Sequence, residues 1–323
     1  MQNRVTSTAR HSYENQMENQ TSFKELYILG FSNKAEKQPF IFIFYFLIYL
    51  VGVLGNLVII VIVYIDTHLH TTMYIFLGNL SFIDICYTTV TLPKFMDILL
   101  SGKNSVSFMQ CITQMYFFIF IGSTELILLS CMAYDRYVAI CFPLHYHCIM
   151  NKRKCLQILV ATWMYGCGNS CFVTGFASAL NICHSNRIQN FYCGLNALTK
   201  ISCPDIGFYF MFYAETFFIV LFPFFIILIS YFKIIQSILR IKSSYGRKKT
   251  FSTCTSHLTV ITIFYGTILC IYARPPEDHK SQSDHIFSIL YAAVTPMLNP
   301  IIYSLRNEEV KRALLRHLKR ATK

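Results

Sequence analysis

Met132-Ala133-Tyr134-Asp135-Arg136-Tyr137-Val138-Ala139-Ile140-Cys141 closes a long apolar run that begins near Phe108. It puts two adjacent opposite charges, Asp135 and Arg136, at the edge of a segment long enough to cross a membrane. Charges there are costly, and they are kept where something must move them. The stretch therefore predicts a switch at the end of a spanning helix.

The apolar pattern repeats along the chain. Seven runs lie at roughly 39–65, 73–99, 108–141, 155–180, 207–239, 251–273 and 286–305, separated by short polar segments. With 54% hydrophobic and 14% charged residues, the chain has too little polar surface for a soluble fold. Each run satisfies its backbone internally as a helix. The expected fold class is an all-α membrane protein, a bundle of seven transmembrane helices. An odd number of spans puts the two termini on opposite sides.

Basic residues choose the sides. Lys152, Arg153 and Lys154 flank one loop, and Arg240, Lys242, Arg247, Lys248 and Lys249 crowd another. Arg306, Lys311, Arg312, Arg316, Lys319, Arg320 and Lys323 fill the tail. All share one side, so the C-terminus is expected in the cytosol and the N-terminus outside, in a multi-pass plasma-membrane protein. The net charge of +12 then faces anionic lipid and a partner protein, not nucleic acid. Residues 1–38 are polar and read as an extracellular tail, 39–305 as the membrane domain, and 306–323 as a cytosolic tail. Asn19-Gln20-Thr21 is a glycosylation sequon on the outer side.

Four of the thirteen cysteines, Cys111, Cys183, Cys193 and Cys203, fall on the outer side, where they can oxidise. Four cysteines allow three pairings. The others lie within spans or near the cytosol and pack as small hydrophobes.

Asn56, Asp84, Glu125 and Asn299 sit deep in apolar runs. Buried carboxylates in lipid must face the bundle and find partners. One reading is a satisfied hydrogen-bond network. The other is a shared proton or sodium-like ion held by Asp84, Glu125 and Asn299, because two close carboxylates repel unless something positive lies between them. Pro300, in Asn299-Pro300-Ile301-Ile302-Tyr303, removes a backbone donor and kinks the last span, which makes a hinge or a static bend. Tyr231 and Tyr303 lie level with Arg136 and could exchange partners between two states. After Tyr303, Leu305, Val310, Leu314, Leu315 and Leu318 recur at helical spacing among basic residues, predicting a short amphipathic cytosolic helix on the membrane surface.

Enzyme motifs are missing: there is no glycine-rich phosphate loop, no His-Glu-x-x-His and no nucleophile elbow. His145, His147 and Cys148 lack a fourth ligand, so neither a metal centre nor a cofactor is expected there. A transporter would show internal repeats and paired broken helices, and neither is seen. A retinal-type proton pump would want a Schiff-base lysine in the last span, and residues 286–305 contain none.

Taken together, Asn56, Asp84, Asp135-Arg136-Tyr137, Trp163 and Asn299-Pro300-x-x-Tyr303 resemble the rhodopsin-like G-protein-coupled receptors. A longer set resembles the olfactory receptors within them, tetrapod-type subgroup. It comprises Met73-Tyr74, Leu77–Asp84, Pro93-Lys94, the Met132–Cys141 stretch, Pro143-Leu144-His145-Tyr146, Ser230-Tyr231, Lys249–Leu258, Phe264–Thr267 and Pro296–Asn307. The resemblance covers about residues 17 to 315 and departs at Thr72, Gln110, Asn190 and Gly194. Those last two flank Cys193 and argue against a metal-assisted ligand mode. Met17-Glu18-Asn19 followed by Leu29-Gly30-Phe31 resembles the usual beginning of such chains, so residues 1–16 read as an upstream extension.

The resemblance implies disulfides Cys111–Cys193 and Cys183–Cys203. It also implies a small-molecule odorant as ligand, and coupling to a stimulatory, olfactory-type heterotrimeric G protein that raises cyclic AMP. Carried by helix register from Arg136, the expected pocket takes Phe118, Ile119, Gly122, Ser123 and Leu126 from the third span, and Glu215, Thr216 and Ile219 from the fifth. The sixth adds Tyr265, Ile268, Leu269 and Tyr272, and the seventh Ile289 and Ala292. Its lining is mostly apolar, with Glu215 as a lone acid for a cationic or hydrogen-bonding ligand. In the implied switch, Asp135 holds Arg136 at rest, and Arg136 turns to Tyr231 on activation, with Tyr137, Asn299, Pro300 and Tyr303 completing the machinery.

Overall fold

The computed structural model describes residues 25–29, 38–183, 185–272 and 287–321. Seven long helices form a bundle: α1 (Gln38–Ile65), α2 (Thr72–Ser101), α3 (Phe108–Cys141), α4 (Lys152–Ser178), α5 (Ile206–Leu239), α6 (Ser244–Tyr272) and α7 (Phe287–Leu305). A shorter α8 (Glu308–Ala321) follows. By length and composition alone, α1, α2, α3, α5 and α7 reach the standard of a membrane span, and α6 contains the shorter apolar helix Cys254–Cys270. α4 carries Gln157, Asn169 and three glycines among its apolar residues, which lowers its mean apolarity.

α3 is the central helix, packed on α2, α4, α5 and α6. Ser107 and Gln110 start it with a reciprocal capping box. α4 approaches it closely at Gly166, where a Cβ would overlap the Thr124 hydroxyl and come within 2.9 Å of the Phe120 carbonyl. α1 is tied to α7 by Asn56, whose Nδ2 donates to the Pro296 carbonyl at 3.0 Å. Beside it Gly55 lets Pro300 come near, since a Cβ there would lie 2.9 Å from Pro300 Cγ.

Four features differ from the sequence expectations. First, the all-α bundle carries a small sheet. Strand β1 (Glu25–Ile28) pairs antiparallel with β2 (Ser105–Ser107) and parallel with β3 (Arg187–Ile188). Leu26 and Ile28 alternate inward and are buried, so the segment read as a polar tail has one apolar edge. Second, the basic stretch read as a loop at 240–249 is mostly helical, because α6 starts at Ser244. Ser243 Oγ accepts the Gly246 N–H at 3.2 Å, which supports that start, and Lys and Arg are good helix formers. Third and fourth, α5 and α7 each contain a π-turn, Phe217–Leu221 and Leu290–Val294. Asn19 and residues 1–16 lie outside the described residues.

At one end of the bundle, Cys111 pairs with Cys193 and Cys183 with Cys203, at Cα separations of 5.3 and 5.8 Å. A second apolar core there joins Leu26, Ile28, Val106, Ile188, Leu198 and Ile201. The sheet, both disulfides and the short helix Leu195–Ile201 thus form one cap. The opposite end carries Asp135, Arg136 and α8.

Gly166→Val is expected to cost roughly 2 kcal/mol by overpacking α4 against α3. It would be read as a lower melting temperature of the purified protein, and an unchanged value would mean that α4 can shift away freely.

Candidate functional site

Two regions of the bundle hold the residues singled out in the sequence. At the uncapped end, Asp135 is fully buried and accepts two hydrogen bonds. Arg136 NH2 donates to Oδ2 at 2.8 Å, and the Tyr146 hydroxyl donates to Oδ1 at 2.8 Å. Tyr146 sits on the short turn Tyr146–Ile149, outside the spans. Burial and the Asp135 carboxylate push its hydroxyl up to about 12, so it stays protonated and remains a donor at neutral pH. Arg136 Nε is buried with no partner among the described residues. The guanidinium is therefore held on one side only.

Around it lie Tyr231, His257, Cys254 and Tyr303, all within electrostatic reach. Tyr231 and His257 are joined, hydroxyl to Nδ1, at 2.7 Å across α5 and α6. Tyr303 is buried, and its hydroxyl has no partner among the described residues. Thus one tyrosine is engaged with a histidine and the other is unengaged, while Arg136 stays on Asp135.

Deeper in the bundle, Asn299 Nδ2 donates to both oxygens of Asp84, each at 3.0 Å. Glu125 is also buried and close enough to Asp84 for their charges to interact. Glu125 Oε1 and Asn299 Oδ1 find no donor among the described residues. Two carboxylates and an amide oxygen make an all-oxygen donor set, which suits a proton or a small hard cation. No group of three or more His, Cys, Asp or Glu side chains placed to hold a metal ion is found among the described residues.

Toward the capped end, most of the expected pocket residues converge. Leu126, Ile219, Tyr265, Ile268 and Ala292 are buried in the main core, with Phe118 and Ile289 packed against it. Phe118 stacks on Tyr192 from the disulfide-bonded loop, ring centroids 4.5 Å apart, and lies 4.9 Å from Tyr87. Gly122 keeps room there, since a Cβ would meet the Tyr291 hydroxyl at 3.3 Å. Ile219 and Ala292 fall on the two π-turns, a local geometry frequent at functional sites.

Two expected residues are placed elsewhere. Leu269 is 37% exposed on the outside of α6, one helical step beyond the inward Ile268. Ile119 joins the cap core and the cluster of Val173, Phe208 and Met211, turned toward α4. Tyr272's side chain lies outside the described set. Thr216 bonds back to the Phe212 carbonyl of its own helix at 2.8 Å. Glu215 is half-buried, and Asn169 Nδ2 bridges it at 3.5 Å to Ser123 at 3.0 Å. The lone acid is therefore engaged with α4 and α3.

A family model described as olfactory receptor matches residues 45–321. The chain belongs to the olfactory receptor family. Among curated relatives, olfactory receptor 10A7 of Homo sapiens is 46% identical over 300 residues, 93% of this chain and 95% of that one. Olfactory receptor 13C9 of Homo sapiens is 45% identical over 93% of this chain and 96% of that one, and olfactory receptor 1E16 of Mus musculus 42% over 92% and 95%. Squid rhodopsin matches the fold with a TM-score of 0.71 at 15% identity, covering 88% of this chain and 82% of that one. The molecule is thus an odorant receptor of the G-protein-coupled class, a multi-pass plasma-membrane protein and not an enzyme. Its partners by membership are a small-molecule ligand and a G protein.

Four side chains with structural roles in this olfactory receptor carry little signal in its sequence. Tyr146 and His257 fall within longer motifs that do not single them out, and Asn169 is one amide within an apolar span. The fourth is Asp66, in the turn before α2. Arg316 of α8 donates to its Oδ2 from NH2 at 2.7 Å and from Nε at 3.2 Å, and His317 Nε2 stands 3.4 Å away. Tyr74 adds a bond to Glu309 at 2.7 Å. α8 is thereby fastened to the α1–α2 turn.

Burial alone would raise the Asp66 carboxyl, but hydrogen bonds from Arg316 and His68 outweigh it and hold it well below the usual carboxylate range. The contribution is full above the ordinary carboxylate pKa and is lost only as pH falls through the depressed value. Asp66→Asn is expected to raise hydrogen exchange across 308–321 severalfold while sparing α3. Exchange that matches the unsubstituted receptor would show that α8 is held by its apolar face alone.

Proposed function

We propose that the receptor binds a small, mostly apolar odorant in the half of the bundle beneath the disulfide-bonded cap, and answers by activating a stimulatory, olfactory-type G protein that raises cyclic AMP. The observation that carries this reading is the one-sided hold on Arg136. A ligand acts only by favouring one state over another. Here Asp135 grips the guanidinium at 2.8 Å, while Tyr231 is occupied by His257 and Tyr303 by no described residue. Tyr231 keeps a lone pair for Arg136 while bonded to His257, so a guanidinium released from Asp135 meets this pair across α5 and α6, and the ends of those helices open to admit it. Asn299 and Pro300, where the proline interrupts the hydrogen bonds of α7, and Tyr137 next to the pair complete the moving parts.

In this reading the capped end is extracellular and the end with α8 is cytosolic, supported by Lys152–Lys154, Arg240–Lys249 and the basic tail on one side. Residues 1–38 form the outer tail with a glycan on Asn19, 39–305 the receptor domain, and 306–323 the inner tail, against anionic lipid. Asp84, Glu125 and Asn299 share a proton or sodium ion, which the donor-free Glu125 Oε1 supports. The ligand touches Phe118, Gly122, Leu126, Ile219, Tyr265 and Ile268, with Ser123 and Glu215 offering the polar contacts.

Two substitutions test the scheme. Arg136→Ala is expected to keep surface expression, read with an N-terminal epitope on intact cells, and to abolish the odorant-driven cyclic AMP rise. A normal rise would sink the switch. Glu215→Gln is expected to weaken responses to amines and alcohols about tenfold, the worth of one charged hydrogen bond, and to leave hydrocarbon-like ligands unaffected. Equal responses across a broad panel would remove Glu215 from the ligand site.

A further inference from the structure

Near the α8 end, Ile235, Ile238 and Leu239 of α5 face Ser244, Arg247 and Phe251 of α6 across a groove of about 390 Å³. The groove opens away from the bundle interior. On α5, Leu228, Phe232, Ile235 and Leu239 recur at helical spacing and are all exposed, so they mark the outward stripe. Tyr231, Ile234 and Ile238 form the inward stripe and are buried, with Ile238 as the groove's floor. The cavity that a G protein would enter lies on that inward side, so this groove is a separate feature.

Its walls are apolar, and its charge is confined to one rim. Arg247 lines it, is exposed, and has no acidic partner among the described residues. Arg240 and Lys242 are also exposed, in the turn that joins α5 to α6 at the same rim. The positive end of the α6 dipole falls there too, since Ser244 begins that helix. An apolar trough running along two spans, with cations at its membrane-edge end, fits one ligand chemistry: an acyl chain carrying an anionic phosphate headgroup.

We propose that the groove between the ends of α5 and α6 is a binding site for an anionic phospholipid, with its chain along Ile235, Leu239 and Phe251 and its phosphate on Arg247. The occupant touches both helices whose separation opens the G-protein cavity, so the site couples leaflet composition to that movement. The inference rests on the reading that this end faces the cytosolic leaflet. Lipid retention in detergent is measured without reference to sidedness, so the two readings fail separately.

The test is native mass spectrometry of the full-length receptor in detergent, with phosphatidylserine and phosphatidylcholine of matched chains. The receptor is expected to retain phosphatidylserine preferentially. Arg247→Gln should lower that retention about fivefold, the worth of one basic residue at a lipid surface, and Arg247→Lys should restore most of it. Leu239→Trp, which fills the trough from an exposed position, should lower retention of both lipids. Melting temperatures of the three variants check that each is folded. Retention that is equal for both lipids, or indifferent to Arg247→Gln and Leu239→Trp, would overturn the proposal. Displacement by inorganic phosphate would make it a phosphate site without a lipid chain. Displacement by the C-terminal peptide of a G-protein α subunit would make it part of the protein interface. Either result rejects the lipid site.

Discussion

Asp135 is a carboxylate with no exposed surface, and the α8 end is arranged around satisfying it. Its two oxygens take one donor each, from Arg136 on the same helix and Tyr146 on the following turn. A buried charge stripped of partners is among the costliest defects a fold can carry. The turn at 146–149 is thus fixed against α3, and Arg136 is held within electrostatic reach of Tyr231, His257 and Tyr303. The same requirement acts deeper in the bundle, where Asp84 draws Asn299 across from α7. Polar satisfaction inside an apolar bundle decides which faces of α2, α3 and α7 meet. The surrounding aliphatic packing then fills the space.

That division explains what was legible in the sequence. The spans were readable because seven apolar runs leave no other arrangement, and most of their ends fall within a few residues of the helices. α6 is the exception. Hydropathy marks where a helix leaves lipid, not where it stops, and 244–250 continue as a polar helix beyond it. Strand β1 was hidden because four residues with two inward apolar side chains make too weak a pattern against a polar tail. The π-turns were invisible, since one extra residue per turn leaves the composition unchanged.

The candidate site was legible by halves. Residues whose chemistry is unusual for their depth, Asp84, Glu125, Asp135, Arg136 and Asn299, were recognisable one by one. Tyr146, which bonds Asp135, His257, which bonds Tyr231, and Asn169, which bridges Ser123 and Glu215, are ordinary polar side chains, and only three-dimensional proximity singles them out. For the pocket, a register carried up α3 and α6 drifts. Leu126, Tyr265 and Ile268 are buried, as that register expects of inward positions, whereas Leu269, also given as inward, is turned out by a single helical step. Squid rhodopsin keeps this bundle at 15% identity. That is expected if a few buried polar contacts and close helix approaches, rather than the bulk of the apolar residues, specify the packing.

The central place of β1 in its sheet carries a consequence for biosynthesis. Tyr27 pairs with Ser105 on one side and Arg187 on the other, so the strand is made long before either neighbour. Closing such distant contacts is entropically slow. As the chain emerges, this segment must wait, unzipped, until four spans and the loop bearing Cys193 have been made. Its docking is then among the last local events of assembly, and a cell inspecting exposed apolar edges could read it as a sign that the cap is complete.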